Sequence, residues 1–185
     1  MVTYETTDVI PMTEFAFAWR ITDPRWAVLR EDALRRFKPL GLARSTQVFN
    51  ACAAFGRVPY PCDPRNYHAV SRESLEENES SDSQRIHSWL RALPIPPDSE
   101  VYLCWASQQG VAAVTDWANL IDNWSDLWYP FDLLCILDDT LDWAMILGPE
   151  EEAYFIQRNA VKANATSRDF SRPLMTSDRD QIAGI

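Results

Sequence analysis

Glycine is scarce in this chain. Five glycines among 185 residues leave little room for a glycine-rich phosphate loop, and none is present. Histidine is scarcer. Only His68 and His87 could act as imidazole bases beside a nucleophile; His68 lies in a proline-rich stretch and His87 next to Ile86, and both read as ordinary surface residues. No Cys-x-x-Cys pair occurs, and Cys52, Cys62 and His68 have no spacing usual for zinc. No apolar run approaches the roughly 20 residues a membrane span needs. Met1 to Pro11 holds no Lys or Arg, so a basic start followed by an apolar stretch, the mark of a secretion signal, is missing. These absences lead to the expectation of a cytoplasmic, non-enzymatic protein without metal or cofactor, its thiols reduced.

The most informative absence is one of charge. From Ala92 to Gln157 there is no Lys, Arg or His, while twelve acids run from Asp98 to Glu152. That stretch carries −12 and the rest of the chain +2, out of a net −10. Phosphate contacts need a cationic surface, so nucleic acid is not expected to bind here. A basic partner protein would be steered toward such a field. The plainer reading is an acidic surface that serves solubility.

The length suits one domain. The organisation expected is a single domain over 1–161, interrupted by a loop over 56–80, with a loosely held tail over 162–185. Phe15, Phe17, Trp19 and Ile21 alternate with smaller or polar residues and read as a half-buried strand, although a short helix across Ala16–Trp19 is compatible with the alanines. Glu31 to Phe37 reads as a helix with Leu34 and Phe37 inward, stopped by Pro39 and Gly41. Leu42 to Phe55 reads as a helix with Thr46, Phe49 and Ala53 on one face. Pro59, Pro61, Pro64 and the polar run Ser71 to Ser81 mark the loop, which should be dispensable for folding. Ser81 and Gln84 have capping-box spacing ahead of a helix bearing Ile86, Trp89, Leu90 and Leu93.

The acidic half patterns most clearly. Val101 to Trp105 reads as a buried strand. Val114, Trp117, Ile121, Trp124 and Trp128 recur at helical spacing, with Asp116, Asn119, Asp122, Asn123 and Asp126 on the opposite face. Leu133–Leu137, Asp142–Leu147 and Ala153–Gln157 read as three strands joined by short turns, an antiparallel meander. Cys104 and Cys135 fall inside such runs, as buried free thiols do. The fold class expected is α+β: a mainly antiparallel sheet ending in a three-strand meander, with helices packed on one side.

Asp138-Asp139-Thr140-Leu141-Asp142 matches the Asp-Asp-x-x-Asp pattern and so resembles prenyl-chain and terpene synthases, where carboxylates hold magnesium against a diphosphate. That family carries the motif on a helix in an all-helical fold. Here it lies between two strand-like runs, where aspartates favour a turn. The Trp-rich helix, with Tyr129 and Pro130, could instead line a ligand pocket, although core packing explains one inward face as well.

Two segments carry a broader likeness. The first is Glu14-Phe15-Ala16-Phe17-Ala18-Trp19-Arg20-Ile21 with Phe37-Lys38-Pro39-Leu40. The second comprises Val101-Tyr102-Leu103-Cys104-Trp105, Thr115-Asp116-Trp117, Asn123-Trp124 and the run Leu133–Leu137. Together they resemble a family of small bacterial proteins of unknown function. The second is also similar to immunity proteins found beside bacterial polymorphic toxins. The resemblance implies an aromatic strand, a Trp-bearing helix and a terminal hairpin in that order, and it brings no assigned active site. The function expected is that of an immunity protein, inhibiting a basic cognate toxin through acids drawn from Asp116, Asp122, Asp126, Asp138, Asp139, Asp142, Glu150, Glu151 and Glu152. The Asp138–Asp139 turn and the Glu150–Glu152 turn should fall at opposite ends of the meander. The alternatives are a ligand-binding or housekeeping domain with a pocket beside the Trp-rich helix, and a metal-dependent enzyme using Asp138, Asp139 and Asp142.

Overall fold

In the computed structural model, the residues described are 3–52, 55, 67–76, 82–148 and 150–159. The expected tail over 162–185, Cys62 and the Ser81 hydroxyl of the expected capping box lie outside them. The fold is α+β, built on a seven-stranded antiparallel sheet. Its strands are β1 (Lys38–Pro39), β2 (Tyr67–Ser74), β3 (Glu100–Trp105), β4 (Ala112–Asp116), β5 (Leu134–Leu137), β6 (Trp143–Leu147) and β7 (Glu152–Arg158), in the order β1-β4-β3-β5-β6-β7-β2. The helices are α1 (Ala18–Thr22), α2 (Glu31–Arg36), α3 (Leu42–Cys52), α4 (Asp82–Ala92) and α5 (Trp117–Leu127).

The meander β5–β6–β7 forms as the sequence indicates, but it does not end the sheet. β2, inside the expected loop, adds to its far edge and pairs with β7 from Tyr67↔Arg158 to Ser74↔Glu152 across an irregularity between Ala69 and Ser71. Only Tyr67 of that strand is buried, so the period-two signal that betrays a strand is missing.

Two other departures have local causes. Phe15 caps the 3-10 turn Met12–Glu14 and Phe17 lies on the turn before α1, so neither belongs to a strand, and Ile21 follows on α1. Phe17 and Ile21 are four apart, one helical turn, while Trp19 is 41% exposed, which breaks the alternation. Val114 belongs to β4 rather than to the Trp-rich helix. Val114 and Thr115 are β-branched and suit the sheet, and Asp116 then caps a helix that starts at Trp117, its carboxylate accepting the Asn119 N–H at 2.8 Å.

Strand alternation sorts the core into two layers. Val101, Leu103, Trp105, Leu134, Ile136, Met145, Leu147 and Phe155 share one layer with Phe15, Phe17, Ile21, Ala33, Ile86, Leu90, Trp117, Leu120, Trp124 and Leu127, which belong to α1, α2, α4, α5 and the segment before α1. Tyr102, Cys104, Val114, Cys135, Leu137, Ala144, Ile146 and Ile156 share the other with Leu40, Val48 and Phe55. Four helices therefore pack on one side of the sheet, and α3 covers the other. On α3 the fully buried residues are Ser45 and Val48; of the expected set Phe49 packs partly buried against this layer and Ala53 lies outside the described residues. Ser45 is tolerated because its hydroxyl donates to the Leu40 carbonyl at 3.0 Å. Cys104 and Cys135 are directly opposed on β3 and β5, buried and free, and Cys52 at the end of α3 interacts with both.

Candidate functional site

Antiparallel pairing brings the start of β3, the end of β5 and the start of β6 to one end of the sheet. There a cleft of about 510 Å3 opens, lined by Tyr4, Glu100, Tyr102, Asp138, Asp139 and Trp143 together with the turn between α4 and β3. Its walls are aromatic and its charges are carboxylates. Tyr4 and Tyr102 meet edge to face, with ring centroids 6.2 Å apart.

One of these carboxylates is answered from outside the lining. Lys38 of β1 donates to Glu100 at 2.7 Å and to the Tyr4 hydroxyl at 2.5 Å. Burial would raise the Glu100 carboxyl, but hydrogen bonds from Lys38 and Tyr4 outweigh it and hold the group below its ordinary range. The Glu100 and Tyr4 hydrogen bonds in turn raise Lys38. Tyr102 is pushed up to about 12 by burial, reinforced by the negative charges of Asp139 and Glu100.

Asp138 and Asp139 have separate duties. Asp138 organises the β5–β6 turn, accepting the Thr140 hydroxyl and the Asp142 N–H. That turn holds Leu141 at φ 61°, a left-handed conformation that leucine rarely adopts. Burial raises the Asp138 carboxyl above its usual range, opposed by the Thr140 and Asp142 hydrogen bonds. Asp139 lines the cleft without a base beside it among the described residues. The Asp-Asp-x-x-Asp segment is thus a hairpin turn rather than part of a helix. Among the described residues no three His, Cys, Asp or Glu side chains converge as a metal would require.

The other acids singled out by sequence scatter. Asp116 binds Arg36 at 2.9 Å, Asp122 faces Arg91 at 3.5 Å, and Asp142 faces Arg158 at 3.3 Å. Glu152 is paired with Arg72 and accepts the Tyr154 hydroxyl. Glu100 and Asp132, which the sequence did not single out, hold Lys38 and Arg20. Among the described residues at least six of the twelve acids are therefore answered by bases from outside the stretch, so the −12 read along the chain is not the charge presented in space. Asp126 stays half-buried, its carboxyl raised by burial. Glu150 and Glu151 lie at the β6–β7 turn, the opposite end from Asp138, and Glu151 takes φ 56° while its carbonyl accepts the Leu75 N–H at 2.7 Å.

Sequence reasoning missed Tyr4, Glu100, Tyr102 and Trp143 as cleft residues. Glu100 and Tyr102 gave the only available signal, a polar start and a polar-tipped ring in an apolar strand. His68 is exposed on β2 and bonded to Asn159 at 2.7 Å, away from the cleft lining. No protein-family model matches the chain, and no similar curated protein or solved structure was found.

Proposed function

We propose that this is a non-enzymatic binding protein that inhibits a basic cognate toxin, in the manner of an immunity protein, by receiving a cationic segment of it in the cleft at the Asp138–Asp139 end of the sheet. The observation that carries this reading is the pairing of aromatic walls with Asp139, a carboxylate that no base within the described residues answers. Aromatic rings and acids together favour lysine and arginine side chains, through cation–π contact and direct charge attraction. The remaining acid surplus of the stretch would speed the encounter.

The test is the association rate with a basic toxin encoded beside this protein's gene, at low and high salt, for wild type and Asp139→Lys. Asp139 is the position to reverse because Asp138 also holds the turn. The reversal should slow association about tenfold and flatten its salt dependence, while stability moves by less than about 0.5 kcal/mol. An unchanged rate and salt slope would remove the cleft from the interface.

A further inference from the structure

We propose that an exposed aromatic surface, formed where α1 and the turn after it meet the α5–β5 connection, docks a proline-rich segment of a partner protein that carries a flanking arginine or lysine. Trp19, Trp26 and Phe131 are 41%, 58% and 92% exposed. Trp19 and Trp26 meet edge to face with ring centroids 5.1 Å apart, and Trp26 meets Tyr129 in the same way at 6.4 Å. Phe131 follows Tyr129 by two residues. None of the four lines the acidic cleft, so the inference goes beyond that site.

These rings are held in place from beneath. Trp26 closes a turn with its N–H on the Asp23 carbonyl at 2.9 Å, and Phe131 lies inside a turn closed by the Asp132 N–H on the Tyr129 carbonyl at 2.8 Å. Arg20 joins the two turns. It is ion-paired with Asp132, and its guanidinium lies 5.3 Å from the Trp19 ring centre and 4.8 Å from that of Tyr129. Aromatic side chains fixed in water before a partner arrives have little ordering left to lose, which is what an interface anchor requires. The indoles of Trp89, Trp105 and Trp128 give their N–H groups to protein oxygens. Those of Trp19 and Trp26 find no acceptor among the described residues.

Size, shape and charge choose the occupant. The exposed parts of Trp19, Trp26 and Phe131 amount to on the order of 400 Å2. That matches the largest apolar patch of an ordinary monomer, about 300–600 Å2 and often functional. It is half of the roughly 800 Å2 per partner that a stable pair of folded proteins needs. A short segment fits that area, whereas a second copy would also bring a second net charge of −10. The rings cross at 67° and 89°, so they offer slots between edges, which suit pyrrolidine rings, rather than the flat face on which a sugar stacks. A polyproline helix is pre-formed and makes no internal hydrogen bonds, which leaves its carbonyls free for indole donors. The charge comes from Asp126 of α5. The Tyr129 phenol is raised by burial and, further, by the nearby Asp126 carboxylate, and Asp126 makes no ion pair among the described residues. A base flanking the prolines would answer it, while a bilayer would have to take in that carboxylate along with the rings.

The experiment titrates the full chain with a decaproline peptide bearing an arginine at each end, and with the same peptide bearing glutamines instead, following the indole N–H signals of Trp19 and Trp26 by NMR. The arginine peptide should shift both signals saturably, and the glutamine peptide should bind about fivefold more weakly. Asp126→Asn should bind the two peptides alike. Phe131→Ser alters a residue that is 92% exposed and so leaves the core intact; it should weaken binding about tenfold, and Trp26→Ala by at least as much. Phosphatidylcholine vesicles, cellopentaose and raised protein concentration alone test the other occupants. The proposal is overturned if the arginine peptide shifts neither signal at millimolar concentration, if wild type does not distinguish the two peptides, or if Phe131→Ser and Trp26→Ala both bind as wild type does. It is overturned equally if the signals move with vesicles, with the oligosaccharide or with protein concentration, which would assign the surface to a membrane, a glycan or a second copy.

Discussion

Asn119 ties three elements together through one side chain. Its amide nitrogen donates to the Ala33 carbonyl at 3.1 Å and to the Thr115 hydroxyl at 2.8 Å, and its amide oxygen accepts from Asn123 at 3.1 Å, all with no solvent exposure of its own. A buried polar group is tolerated only when satisfied, so Asn119→Leu, of similar size, strands the Ala33 carbonyl. Urea denaturation should show a loss of about 1–3 kcal/mol. Trp117 and Trp124 work by volume instead. Each is at most 3% exposed, and truncation to Ala should cost about 3–5 kcal/mol by the same measurement. Tyr102 supplies a pH signature. Its folded-state value, about 12 against an ordinary 10.0, means the folded protein keeps a proton that the unfolded chain releases. Its contribution is fully present below pH 10 and lost as pH rises through about 12. An alkaline stability profile of Tyr102→Phe should therefore fall less steeply in that window than wild type. An identical slope would mean the phenol is freely solvated.

At the scale of elements, what could be read depended on how much of a segment is buried. β5 and β6 show as unbroken apolar runs because nearly every residue leaves water, α4 shows a helical period because one face does, and so they were legible to within a residue or two. The Trp-rich helix was legible from Trp117 onward, but its face was not: Asn119 reads as polar and therefore outward, while the hydrogen bonds that permit its burial come from Ala33, 86 residues away. β2 was illegible for the opposite reason. It is an edge strand whose stabilisation lies in its backbone pairing to β7 and in side chains at its ends, where Tyr67 packs on Phe55 at 4.6 Å and Glu73 holds Arg85. That runs against the expectation that the segment around Glu73 is dispensable. Deleting 73–78 removes the strand's last pairs, the Arg85 anchor and Leu75, which is 3% exposed. The loss of a buried leucine alone is worth about 2–5 kcal/mol, so the deletion should lower the urea midpoint markedly. A midpoint equal to wild type would show β2 to be a passive attachment. The cleft was half legible, since the Asp138–Asp139 turn is local while Tyr4, Glu100 and Trp143 converge on it only through the strand order.

Across the whole molecule, the fold converts a one-sided charge pattern into two separate acidic ends. Among the described residues, bases from β1, β2, α1, α2, α4 and β7 pair with at least six of the twelve acids, mostly as exposed pairs worth little individually to stability. Their effect is on the field. Asp138 and Asp139 lie at one end of the sheet, and Glu150 and Glu151 at the other, separated by the length of β6. Five residues of strand span roughly 17 Å. The Debye length is about 8 Å at 0.15 M salt and about 30 Å at 0.01 M. The two ends should therefore act as one field in dilute salt and as two sites near physiological salt. For association with a basic partner, this separates steering from contact. At about 0.01 M salt, both Asp139→Lys and Glu150→Lys should slow the encounter. At about 0.15 M, Asp139→Lys should still slow it, because that carboxylate meets the partner directly, whereas Glu150→Lys should approach the wild-type rate. Stopped-flow rates for the two variants at the two salt concentrations decide the matter. If Glu150→Lys slowed binding as much as Asp139→Lys at the higher salt, the partner would have to reach both ends of the sheet, and the cleft alone would not account for recognition.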